Sequence, residues 1–117
     1  MITELVGKVF SMRNNAHLAH FKTGSYAEHM ALNAFYDDVI EVVDKLVEVY
    51  QGNFGKIGNV SASFATPASI TQALTQDCEW IAQNREEIAQ GLTPVENLID
   101  ELMSVYLQTI YKLINLK

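Results

Sequence analysis

Positive charge is scarce in this chain of 117 residues: eight Lys and Arg stand against 14 Asp and Glu, for a net charge of −6. There is no basic tail or run, and a phosphate backbone demands one, so direct nucleic-acid binding is not expected. No apolar run approaches the roughly 20 residues that a membrane span needs. Met1-Ile2-Thr3-Glu4 lacks the basic flank and apolar block of a signal peptide. Cysteine occurs once, at Cys78. That excludes an intramolecular disulfide and fits a reducing compartment, so the expected location is the cytoplasm. Gly-rich phosphate loops and nucleophile elbows are missing. In Asp77-Cys78-Glu79-Trp80 the anionic neighbours suppress a thiolate, which argues against a cysteine hydrolase. Repeats, low-complexity stretches and domain linkers are also absent.

What is present suffices for one domain with one core, spanning 1–117. Apolar residues make up 49 % of the chain, including five Phe, five Tyr and one Trp. Four helices are expected. The first covers about residues 3–22 on the spacing of Leu5, Val9, Met12, Ala16 and Ala19, and Thr23-Gly24 stops it. Ser25-Tyr26-Ala27-Glu28 is a capping box that starts the second helix, which is expected to stop at Gly52. Residues 52–67 form a long connection, and its Phe54, Ile57, Val60 and Phe64 are expected to pack on the bundle. The third helix covers about 68–90, with Ile70, Leu74, Ile81 and Ile88 on its core stripe. Thr93-Pro94-Val95-Glu96 is a second capping box with Pro at the first helical position. It opens a fourth helix reaching about Leu116 on Leu98, Leu102, Tyr106, Ile110 and Leu113. The expected fold is all-α. Two antiparallel hairpins joined by a long crossover make a ferritin-like four-helix bundle, since an up-down-up-down bundle needs only short loops.

A helical wheel separates two faces of the second helix. Leu32, Tyr36, Val39, Ile40, Val43, Leu46, Val47 and Tyr50 form its core stripe. Asp37, Glu41, Asp44 and Glu48 fall together on the opposite face, pointing away from the core. Such a face is ordinarily solvated, but four like charges at this spacing repel, and only Lys45 lies nearby in sequence to offset them. A bound cation would relieve that repulsion.

The three histidines all precede residue 30. His20 falls on or near the core stripe of the first helix, where a hydrogen-bonded core role is the ordinary one. His17 lies at the edge of the apolar face. His29 is in the first turn of the second helix. His17 and His29 flank the turn, so their imidazoles can converge, and imidazole binds most transition metals. Asp44 lies about 22 Å further along the helix than His29, and Glu48 about 28 Å. One chain therefore cannot bring all four to one ion. Two chains can, if their second helices pack antiparallel about a two-fold axis, and both sites then form together.

These four residues carry a resemblance. The segment from His17 to Gly52 resembles the first helical hairpin of the Dps family, the starvation-type mini-ferritins of the ferritin-like superfamily. That family shows a His, a second His 12 residues on, then Asp-x-x-x-Glu 15 residues later, and His17, His29, Asp44 and Glu48 reproduce those gaps. The resemblance implies an iron site between two subunits and a homo-oligomer built on two-fold dimers. A closed, iron-storing cage is compatible with it but does not follow from the hairpin alone. It further implies a ferroxidase-type oxidoreductase. His20, Asp37 and Glu41, near these ligands in the sequence, are candidate accessory residues. Zinc and manganese take similar donors. Leu18 stands where the family usually has a Trp implicated in electron handling near the iron. The chain is also short for the family and has no basic tail, so DNA coating is not implied. The chain resembles, too, short phage-encoded proteins with a Ser-Tyr/Phe-Ala-Glu-His segment and a closing Tyr-Lys-Leu. For a phage protein the location would be the host cytoplasm or the virion.

The di-iron site of classical ferritins is excluded directly. It needs Glu-x-x-His on each of two helices, and no Glu here is followed by His at the third position. The competing function class is a non-catalytic helical module, a virion part or host-factor binder that keeps the fold without the chemistry. Replacing both Asp44 and Glu48 by Ala separates the two.

Overall fold

The computed structural model describes residues 1–63 and 65–117, and the expectation for Phe64 lies outside them. The chain forms α1 (Ile2–Lys22), α2 (Tyr26–Phe54), α3 (Ile70–Ala89) and α4 (Thr93–Asn115). It is an all-α four-helix bundle. α1 packs on α2 and α3, and α4 packs on α2 and α3, so the order around the bundle is α1, α2, α4, α3.

Local chemistry sets the helix ends. Ser25 Oγ accepts from Glu28 N–H at 3.2 Å, which starts α2. The reciprocal half of the capping box does not form, because Ser25 N–H donates to Thr23 Oγ1 instead, at 3.1 Å. α2 runs through Gly52 and ends at Gly55, whose φ of 90° suits glycine. The contact of Tyr50 with Phe54, with centroids 4.7 Å apart and planes tilted by 44°, supports this extra turn. The helical cost of Gly52, about 1 kcal/mol, is thus outvoted. α3 starts later than expected, with Ser69 as its cap, Oγ accepting from Gln72 N–H at 3.2 Å. Its end is a tight turn in which Gln90 and Gly91 have φ of 52° and 81°. That turn draws Thr93 into the helix as its first residue. The second capping box is therefore not formed: Leu92 is the N-cap, without a side-chain bond.

Residues 55–63 and 65–69 cross the length of the bundle along α1. Ser63 N–H donates to Ser11 Oγ at 2.7 Å. Gly7 is where the two backbones meet, since a Cβ there would run into the carbonyl oxygen of Ser61. Ile57 of this connection is half-buried, whereas Val60 is exposed, as is Phe54, now part of α2. Because the crossover returns the chain to the end from which α2 set out, α2 and α3 run the same way and lie diagonally. Two antiparallel hairpins joined by one long crossover result, the connectivity that ferritin-like folds also use.

The core holds Leu5, Val9, Phe35, Val39, Leu46, Leu74, Ile81, Leu102 and Tyr106, all fully buried. Phe35 meets Tyr106 edge to face at 5.1 Å, joining the two hairpins. Arg85 ties α3 to α4 through a fork on Asp100, at 2.6 and 2.8 Å, and reaches Glu96 at 3.3 Å.

Candidate metal centre

The α1–α2 turn brings all three histidines into one aromatic cluster. His17 is half-buried and stacks on Tyr36 of α2, with centroids 3.9 Å apart and planes 12° from parallel. Its other near neighbour is Phe21, at 5.1 Å. His20 is 8 % exposed and lies edge-on to His17 at 5.8 Å. His29 stacks on His20 at 3.7 Å. Arg13 sits over the Tyr36 ring at 5.3 Å, and Tyr36 Oη donates to Asn33 Oδ1 at 2.6 Å.

One hydrogen bond in this cluster sets an orientation. His29 Nδ1 lies 3.0 Å from the carbonyl oxygen of His20. A carbonyl only accepts, so Nδ1 carries the proton. In the neutral ring Nε2 then holds the lone pair. Metal-bound histidines are fixed in this way by a backbone carbonyl behind them. His20 itself is a platform rather than a convergent ligand. Rings stacked face to face cannot both aim nitrogen lone pairs at one ion between them. Its Nδ1 is buried and has no partner. Burial, and then the nearby His29 and His17, hold the His20 imidazole below its ordinary 6.5.

Asp37, Glu41, Asp44 and Glu48 are exposed on the outer face of α2, as the wheel indicates. Asp37 accepts a long bond of 3.5 Å from Asn33. The structure brings His17, His20 and His29 together but leaves Asp44 and Glu48 further down the same helix. Among the described residues of one chain, no three His, Cys, Asp or Glu side chains are placed to hold a metal ion. Asp44 and Glu48 could meet these histidines only across a contact between two chains.

A second polar group lies in the bundle interior, and the sequence reading passes over it. Asp77 of α3 accepts from the fully buried Tyr106 of α4 at 3.2 Å. Burial lifts the Asp77 carboxyl from 3.8 to about 6, against the pull of Lys8 and the Tyr106 hydroxyl. Lys8 also stands over the Trp80 ring at 5.1 Å. The signal for Asp77 was available: it stands three residues after Leu74 and four before Ile81, which places an acid on the core stripe. Beside it, burial first and then Asp77 and Glu79 push the Cys78 thiol up, which disfavours its thiolate.

Residues 20–113 match the model of DUF5856, a family of unknown function. The chain belongs to this family. His20, His29, Asp44 and Glu48 fall within the matched region, and His17 just precedes it. A relative described as an uncharacterized 14.6 kDa protein in the mobD-ri intergenic region of Enterobacteria phage T4 is 24 % identical over 111 residues. The alignment covers 94 % of this chain and 85 % of the relative. No solved structure matches. No helix among the described residues is long and apolar enough to cross a membrane.

Proposed function

We propose that this DUF5856 member is a phage-type, Dps-like protein that binds Fe(II) between two chains and promotes its oxidation by dissolved oxygen or peroxide, which takes up the electron each iron loses. His17 and His29 of one chain supply neutral nitrogen donors. Asp44 and Glu48 of a two-fold partner supply carboxylate oxygens, which suit both the ferrous ion and its harder ferric product. Iron here is the substrate, and the residues hold and orient it. The observation that carries this reading is the bond from His29 Nδ1–H to the His20 carbonyl, which leaves Nε2 as the donor nitrogen. The exposed acids on α2 support it, since a partner can reach them without unfolding anything. His ligands bind only when deprotonated, so affinity falls as the solution is acidified.

Anaerobic Fe(II) titration with native mass measurement tests the proposal on wild type and His29→Ala. Saturable binding in an oligomer containing two-fold dimers, lost in His29→Ala, is expected. Binding indifferent to His29, or none, removes the iron reading. The module reading, a virion part or host-factor binder, then takes its place. It has one observation in its favour: Leu107, Tyr111 and Ile114 form an exposed apolar stripe on α4, 53 to 60 % accessible.

A further inference from the structure

The face that α3 and α4 turn outward carries a groove of about 310 Å³ with an almost entirely apolar lining. Cys78, Glu79 and Ala82 form its α3 wall, and Met103, Leu107 and Ile110 its α4 wall. Tyr111 and Ile114 follow Leu107 at one and two turns on the same side of α4, and all three are exposed. One helix face thus holds both an apolar ridge and an apolar hollow. α2, whose acids the iron site uses, contributes nothing to the groove.

Charge says what fits there. The bonds from Tyr106 to Asp77 and from Arg85 to Asp100 fix the register of α3 against the antiparallel α4. Glu79 therefore stands level with about Ser104, and Glu86 with about Leu98. Both acids are exposed, so the α3 rim of the groove is negative. It asks for a segment that carries an apolar knob followed by a cation. The end of α4 is such a segment: Tyr111, Ile114 and then Lys117, all exposed. With a second α4 laid antiparallel across the first and its Tyr111 opposite Leu107, its Ile114 falls opposite Ser104. Its Lys117 falls about opposite Glu101, between the levels of Glu79 and Glu86. A two-fold axis repeats these contacts in reverse. A parallel pairing would instead set Glu79 against Glu79 and Lys117 against Lys117.

We infer that the α3–α4 face is a two-fold contact with a second copy of this chain. Tyr111 of each copy fills the groove of the other, and Lys117 meets Glu79 and Glu86 across it. The ring is the anchor, since an aromatic side chain seated in an apolar pocket carries a large share of an interface's energy. The charges at the rim set register and direction more than affinity. This contact stands without the iron site. Together with it, each chain has two different two-fold contacts, which build assemblies larger than a dimer.

The test is sedimentation velocity of the metal-free full chain over about 1 to 200 µM. Association is expected in the wild type, and Tyr111→Ala should weaken it by about tenfold or more. Lys117→Glu and Glu79→Lys should each weaken it by about threefold, and the two swaps combined should return it to the wild-type value. Tyr111, Lys117 and Glu79 are exposed, so folding is not at risk in these variants. A wild type that stays monomeric over the whole range overturns the inference and leaves the ridge to a different protein. So does a Tyr111→Ala chain that associates like wild type, or a double swap that associates no better than the single ones. Replacing both Asp44 and Glu48 by Ala should leave this contact in place, and Tyr111→Ala should leave Fe(II) binding in place, so its failure and that of the iron site are read separately.

Discussion

The waist of the bundle and its turn end treat polar groups in opposite ways. Away from the turn end they are paired: Tyr106 with Asp77 at the waist, and Arg85 with Asp100 and Glu96 towards the far end. At the turn end, His20 Nδ1 and Asn15 Oδ1 are buried without partners. Phe21 and Tyr26 stand 70 and 77 % exposed there, and Tyr111 and Ile114 crowd the same end. Unpaired buried atoms cost stability, so a fold keeps few of them. The waist is built to hold the helices together. The turn end keeps groups that the fold does not need, which is where binding is expected.

The largest effect should come from the waist. Phe35→Ala removes the ring that joins the hairpins through Tyr106 and should cost about 3–5 kcal/mol. Urea unfolding measures it, and a loss below about 1 kcal/mol would mean that the waist is not the structural half of the molecule. Asp77→Asn comes next and has the opposite sign. Lifting the carboxyl from 3.8 to about 6 means that its ionised form costs about 3 kcal/mol in the folded chain. The folded state binds the extra proton between those two values, so this group's contribution to stability falls as pH rises from about 4 to 6. The amide oxygen introduced by Asp77→Asn still accepts from Tyr106, so the variant should gain stability at pH 7 and lose that part of the pH dependence. Unfolding curves across pH 4–7.5 would show it.

Arg85→Ala is smaller, because the fork is partly solvated. It should lower Tm by about 5 °C, and high salt should shrink the gap between wild type and variant.

The smallest effect belongs to the turn end. For His20 the folded chain binds its proton less readily than the unfolded chain. Its contribution to stability is therefore complete above pH 6.5 and is lost as pH falls through the lowered value. His20→Leu should leave Tm at neutral pH unchanged or slightly raised, and should flatten the acid side of the profile. A large loss on His20→Leu would blur the contrast, since the histidine platform would then be structural.

These two regions also differ in how far the sequence discloses them. The hairpin around Thr23-Gly24-Ser25, the crossover and the core stripes follow from spacing and local chemistry, because those signals act over a few residues. The helix ends at Gly52 and Thr93 do not, because contacts decide them: Tyr50 on Phe54 in one case, the Gln90-Gly91 turn in the other. The placement of His17 and His29 at one end of the bundle follows from the hairpin; that of His20 beside both does not. The His20–His29 stack and the bond to the His20 carbonyl do not, since ring orientation depends on packing. Asp77 and Asn15 are missed for a related reason. A polar residue next to a core stripe is read as solvated until the neighbouring helix is in place.

The proposed iron site is divided between two chains. Mixing His29→Ala chains with chains carrying both Asp44→Ala and Glu48→Ala tests it most directly. Each variant alone should bind no iron. Mixed dimers should regain one complete site of the two, made of the histidines of one chain and the acids of the other, so Fe(II) binding should return on mixing and peak at equal proportions. If binding does not return while the native mass shows that mixed dimers have formed, or if either variant alone binds like wild type, the site is not divided between chains and the account fails.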